Sequence, residues 1–163
     1  ADFLAEADFD YVIGSVHAVG DRPLQYPPHF ADDTETELDA VVDRYFDELV
    51  AMIESGLVDV LAHPDLVERN PHLRNRARRD HYERVAKALA DARTIPEINA
   101  GRALRDDGWV HPCPAFLDAL RASDLEFTLG TDSHHPEEYE PRTEFLTDFA
   151  DDHGLSVTTP PSL

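Results

Sequence analysis

Apolar and polar positions along the chain follow two periods. Leu38, Val41, Val42, Tyr45, Phe46, Leu49, Val50 and Ile53 recur at i, i+3, i+4 spacing, the stripe of an amphipathic helix. Thr34 and Glu37 ahead of it form a capping-box signature, and Gly56 supplies a stop. Shorter stripes predict three more helices: Tyr82, Val85, Ala86 and Leu89; Phe116, Leu117 and Leu120 after Pro112 and Pro114; and Phe145, Leu146 and Phe149. Between them lie short runs rich in β-branched and aromatic residues, at 9–16, 58–62, 94–99, 125–130 and 155–158, which read as strands. The order is β-α-β-α-β-α-β-α-β. Short, continuously apolar strands are those buried on both faces, so a parallel sheet is expected. No repeat or linker divides the 163 residues, and that length suits one compact core, a single domain over 1–163.

Composition changes this picture in one respect. Asp and Glu number 34 against 14 Lys and Arg, for a formal charge of −20, and Lys87 is the sole lysine. Nucleic acid is excluded as a partner, because a phosphate backbone calls for a basic surface. Dense carboxylates with almost no lysine resemble proteins of haloarchaea, where the Debye length shrinks to about 3 Å near 1 M salt and self-repulsion is screened. Cys113 is the only cysteine, so neither an intramolecular disulfide nor a Cys-rich zinc module fits. No apolar run has membrane-spanning length and no signal-peptide pattern is present, so a cytoplasmic protein without a membrane partner is expected. The chain opens on Ala1, and its only methionine is Met52, so it is expected to begin downstream of its gene's start.

The candidate chemistry lies where strands end. His17, His63, Glu97 with Asn99, and Asp132 with His134 each fall at or just past the C-terminal end of a predicted strand, the edge where parallel sheets and barrels build active sites. Singly, each has a bland explanation. A histidine at a strand end is more often a hydrogen-bonded structural group than a ligand. Asp132 is suited to capping the next helix, and Glu97 to hydrogen bonding behind the ligands. His135 points away from its neighbour; His29, His72, His81 and His153 lack matching partners; and His111 beside Pro112 reads as structural. Four successive strands delivering such residues to one rim is the informative pattern. Imidazoles with a carboxylate suit zinc, manganese or iron, and such an ion lowers the pKa of bound water to about 7. With no Gly-rich phosphate cradle and no GxSxG turn, metal-activated hydrolysis is the economical expectation.

These segments resemble a known family. Asp10-Tyr-Val-Ile-Gly-Ser-Val-His17, Ala62-His63-Pro64-Asp65, Glu97-Ile-Asn99 followed by Gly101, and Gly130-Thr-Asp132-Ser-His134 are similar, in order and spacing, to the later motifs of the polymerase-and-histidinol-phosphatase (PHP) superfamily, in its histidinol phosphatase branch. The resemblance covers nearly the whole chain. It implies an α/β fold, the C-terminal part of a distorted (β/α)7 TIM-like barrel with parallel strands, and up to three divalent ions in the complete site. It further implies His17, His63, Asp132 and His134 as metal ligands, with Asp132 also accepting a proton from the water that attacks phosphorus in line. Arg69 and Arg105 occupy positions similar to the family's phosphate-contacting arginines, with Arg102 competing for the latter role; the bland alternative for each is a solvated surface charge. Glu97 and Asn99 would support the ligands from behind.

The implied activity is hydrolysis of L-histidinol phosphate, a small phosphorylated substrate, in histidine biosynthesis. Another phosphoesterase of the superfamily and a non-catalytic barrel fragment are the alternatives. The family's N-terminal strands carry a His-x-His pair that this chain lacks, so a preceding segment of about a hundred residues is expected, by difference from a typical barrel of about 250.

Overall fold

A computed structural model describes residue 7 and residues 9–106 and 108–160. Four strands, β1 (Ile13–Gly14), β4 (Val60–Leu61), β5 (Ile95–Arg102) and β7 (Thr128–Gly130), pair in parallel in the spatial order β1-β4-β5-β7. The helices α1 (Glu35–Glu54), α2 (Arg79–Ala90), α3 (Pro114–Arg121) and α4 (Pro136–His153) alternate with them along the chain. The result is an α/β fold with a mostly parallel sheet, compatible with part of an α/β barrel.

The structure departs from the sequence expectation in several places. A strand β6 (Trp109–His111), absent from the expected set, runs antiparallel to β5, so the sheet is not parallel throughout. Strand β5 continues past Asn99 to Arg102, and Asn99 pairs with Gly130 on one edge and His111 on the other. Strands β2 (Ala18–Val19) and β3 (Arg22–Pro23) form a hairpin that the expected set of strands did not include; its turn places Gly20 at φ +63°, a conformation glycine adopts without a Cβ clash. The expected strand over 9–16 pairs only at Ile13–Gly14, and that over 155–158 is reduced to a bridge between Phe127 and Val157.

Helix α1 forms as its pattern dictates. The Thr34 hydroxyl accepts from the Glu37 amide, while the Glu37 carboxylate accepts from the Thr34 amide at 2.8 Å. Leu38, Val41, Val42, Tyr45, Phe46, Leu49 and Ile53 are all buried in the hydrophobic core. Phe46 sits at the centre, stacked on His81 at 4.7 Å and edge-on to Tyr82 and Phe116.

The acidic composition has a structural use on this helix. Glu35, Asp39, Asp43 and Asp47 repeat every four residues and so share one edge. Arg76 bonds Glu35 and Asp39, Arg78 and His81 bond Asp43, and Arg84 bonds Asp47, which ties α1 to α2 and the loop before it. Each exposed pair contributes only about 0–1 kcal/mol and is weakened by salt, so the apolar stripe remains the main cohesion.

The sheet's two faces differ by a period of two. Leu61, Ile98 and Ala100 point into the helical core, whereas Val60, Ala62, Glu97, Asn99, Thr128 and Gly130 line a 470 Å³ cavity on the other face. The Phe46→Ala variant should lose about 3–5 kcal/mol of stability, measured by denaturant unfolding. A loss below about 1 kcal/mol would mean that the α1–α2–α3 contact is not the core.

Candidate anion and metal site

The C-terminal ends of these strands open on a second cavity of 280 Å³, lined by His17, Gln25, His63, Arg69, Gly101, Arg102, Arg105, Asp132 and His134. It gathers every histidine and arginine singled out from the sequence as ligand or substrate-binding residue, together with Asp132 and the competing Arg102. In a chain of charge −20 this cavity carries three arginines and a single carboxylate. That reversal of sign is what an anion requires.

His63 follows β4 with φ +30°, and Asp132 follows β7 with φ +48°, left-handed conformations that non-glycine residues adopt at a cost when the surroundings hold them. Those surroundings are identifiable. The Glu97 carboxylate accepts from the His63 amide at 3.1 Å and from Asn99 Nδ2 at 2.9 Å, while Asn99 Oδ1 accepts from the Gly101 amide at 3.0 Å. Burial pushes the Glu97 pKa upward, and the two donors partly offset it. A Cβ at Gly130 would overlap the Glu97 carboxylate, and one at Gly101 would overlap that of Asp132, so both carboxylates occupy space that only glycine leaves. The Asp132 carbonyl accepts from Arg142 Nη1 at 2.7 Å and from His134 Nδ1 at 2.9 Å. Arg142, only 6% exposed on the apolar stripe of α4, is thus a clamp on this loop, a role to which the sequence reading assigned no residue.

The rings of His17 and His63 meet edge to face with centroids 5.1 Å apart. Burial, reinforced by His111 and His17, lowers the His63 pKa from 6.5 to about 4, so the imidazole is neutral at pH 7. Its Nδ1 is buried without a hydrogen-bond partner. A neutral imidazole with an orphaned nitrogen facing a second imidazole fits a metal ion's donor requirement. The fit is partial: among the described residues no group of three or more His, Cys, Asp or Glu side chains is close enough to hold an ion. The Asp132 and His134 side chains stand 3.9 Å apart, and His134 is exposed.

Behind the cavity lies a buried polar chain. Arg69 Nε donates to His111 Nε2 at 2.9 Å, His111 Nδ1 is 2.5 Å from Asp65 Oδ1, and Asp65 Oδ2 accepts from the Cys113 amide at 2.6 Å. Arg69 Nη2 is buried without a hydrogen bond, 3.9 Å from Asp132 Oδ2. Asp65 was visible in the Ala62-His63-Pro64-Asp65 motif but carried no role there. His111, read as a structural histidine, touches Arg69 because β6 brings it beside β5.

No family model matches the chain. It is 30% identical over 141 residues to a protein of Deinococcus radiodurans named probable histidinol-phosphatase, covering 80% of this chain and 50% of that protein. A second protein of that name, from Clostridium acetobutylicum, is 25% identical over 134 residues, covering 78% and 51%. The chain spans about half the length of these curated relatives. It is therefore related to proteins named probable histidinol-phosphatase. No helix among the described residues is long and apolar enough to cross a membrane.

One neighbour of the site gives a pH test. Glu68, buried beside Arg69, has its pKa raised chiefly by burial, and one carboxyl oxygen lacks a partner. The unfolded carboxyl ionises near 4.5, but the folded one keeps its proton to higher pH. Stability present below 4.5 is therefore lost as pH rises through the folded value. Glu68→Gln should be more stable than the parent at pH 7 and equal to it at pH 4 in thermal unfolding; the opposite order would mean that Glu68 is held as a carboxylate.

Proposed function

We propose that the chain is the substrate-facing part of a metal-dependent phosphomonoester hydrolase of PHP type, acting on L-histidinol phosphate in histidine biosynthesis. The observation that carries this reading is the cavity in which His17, His63, Asp132 and His134 meet Arg69, Arg102 and Arg105 in an otherwise acidic molecule. The names of the two relatives supply the substrate, and the residues supply the chemistry.

On this reading His17, His63, Asp132 and His134 hold divalent zinc, manganese or iron, up to three ions in the complete site, with further ligands from protein outside these residues. The metal supplies Lewis acidity and an activated water at neutral pH. The chain's own part is to bind and orient. Arg69 and Arg105 offer planar forks to the phosphoryl oxygens, with Arg102 beside them. Asp132 accepts the proton of the attacking water, and Glu97 with Asn99 keeps His63 in its left-handed turn. The half-buried guanidinium of Arg69 meets its ligand where water is partly excluded, which strengthens each contact to developing charge.

A second reading has one observation in its favour. Since no three ligating side chains gather among the described residues, a non-catalytic barrel module remains in play. Turnover of L-histidinol phosphate by the full-length protein, with stoichiometric transition metal by elemental analysis, separates the two. Under the catalytic reading Arg69→Ala should lower kcat/KM about 10²-fold or more, and His63→Ala should remove both bound metal and activity. A metal-free, inactive full-length protein would decide for the module. Turnover of other small phosphate esters in preference to histidinol phosphate would keep the chemistry and replace the substrate.

A further inference from the structure

The Arg69 side chain is 13% exposed, and its chain environment is more specific than anion binding alone requires. Arginine has five N–H donors and no acceptor. Here the Nε–H is used inward, on His111 Nε2 at 2.9 Å, which leaves the Nη end aimed toward the cavity, with Nη2 lacking any hydrogen bond. An imidazole nitrogen can accept from an arginine only through its lone pair. His111 must therefore carry its proton on Nδ1, where it meets Asp65 Oδ1 at 2.5 Å. Asp65 and His111 are both fully buried, so water cannot replace either partner. The Asp65 carboxylate is itself fixed by the Cys113 amide at the start of α3.

We infer that Asp65 and His111 form a positioning pair: the carboxylate selects the His111 tautomer, and that tautomer locks the Arg69 guanidinium toward the anion. The pair does not touch the substrate, and its action on a phosphoryl group rests on the phosphatase reading above. Its physical effect is preorganisation. A long, flexible side chain is set in its binding geometry before the anion arrives, so binding does not have to order it. The arrangement spans four separate segments, namely the turn after β4 for Asp65 and Arg69, β6 for His111, the start of α3 for Cys113, and the loop after β7 for Asp132. A scaffolding role alone would explain the Asp65–Cys113 bond but not why His111 turns an acceptor toward Arg69.

Asp65→Asn tests this because it keeps shape and inverts polarity. The amide oxygen still accepts from Cys113, but the amide N–H₂ now faces His111 Nδ1 and selects the other tautomer, whose Nε2–H opposes the Arg69 Nε–H. In the full-length protein, nitrogen NMR of the imidazole should show Nδ1–H for His111 in the parent and Nε2–H in D65N. The Arg69 Nε–H should be protected from exchange in the parent alone. Inorganic phosphate, the probe ligand, should bind D65N about tenfold or more weakly, as expected for losing alignment of a charged donor. In an Arg69→Gln background the same substitution should cost less than about twofold, since the pair acts only through that arginine. His111→Gln, which keeps an acceptor for Arg69, should restore part of the affinity that His111→Asn loses. Equal losses from D65N with and without Arg69, or an Nε2–H His111 in the parent, would overturn the positioning role. If the parent binds no phosphate but shows the expected tautomer and protected Arg69, the phosphatase reading fails while the positioning pair stands.

Discussion

A buried carboxylate on the open face of the sheet sets the terms for the rest of this molecule. Glu97 is 7% exposed and stands on β5 between Pro96 and Ile98, in a strand whose alternate residues feed an apolar core. Placing it there costs free energy unless its oxygens are occupied. The chain answers with the His63 amide, the Asn99 side chain and the vacant side of Gly130. Each answer has a consequence for chemistry. Bonding the His63 amide holds that residue in a left-handed turn and directs its ring toward His17. Bonding Asn99 orients the oxygen that receives the Gly101 amide, and the bare α-carbon of Gly101 leaves room for Asp132.

The charge distribution follows from a second constraint. A surface this acidic repels itself, and the fold spends part of the excess in the ladder between α1 and α2, where Glu35, Asp39, Asp43 and Asp47 meet Arg76, Arg78, His81 and Arg84. Those arginines are surface glue, individually weak and salt-sensitive. Arg69, Arg102 and Arg105 are different in kind, because they converge on a cavity with one carboxylate. Among the pockets described, this is the one whose Arg, Lys, Asp and Glu residues are mostly cationic, and such a lining favours an anion over a cation.

Much of this was legible in the sequence because it depends on period and punctuation. The α1 stripe, its Thr34–Glu37 cap and the four strand-end positions follow from local rules; the residues at three of those ends, His17, His63 and Asp132 with His134, line one cavity, while Glu97 and Asn99 line the neighbouring one. What escaped was non-local. The β6 strand is three residues long and pairs antiparallel through a bulge in β5, which no periodicity announces. Asp65 and His111 are 46 residues apart and meet only because that strand forms. Arg142 lies on the same helical stripe as Phe145, Leu146 and Phe149, so its burial follows the period, but the two carbonyls after β7 that it bonds could not be read from its residue type. Composition could not separate the cavity arginines from the ladder arginines either, because the difference is burial and partner, not residue type.

The face of the sheet that carries Glu97 and borders His63 runs to a strand edge. β1 is an edge strand on which Ile13 is 56% exposed, and the 470 Å³ cavity beside it is lined by Tyr11, Ile13 and Ser15 on one side and by Thr128, Leu129 and Pro160 on the other. Among the described residues the outer edge of β1 has no strand partner, whereas the β7 side is continued by the bridge from Phe127 to Val157, and an apolar edge left in water is a liability. Glu97 and the orphaned Nδ1 of His63 lie within that face, partly desolvated already. Covering it would raise the cost of leaving that nitrogen unpaired, and an ion bound there would relieve it.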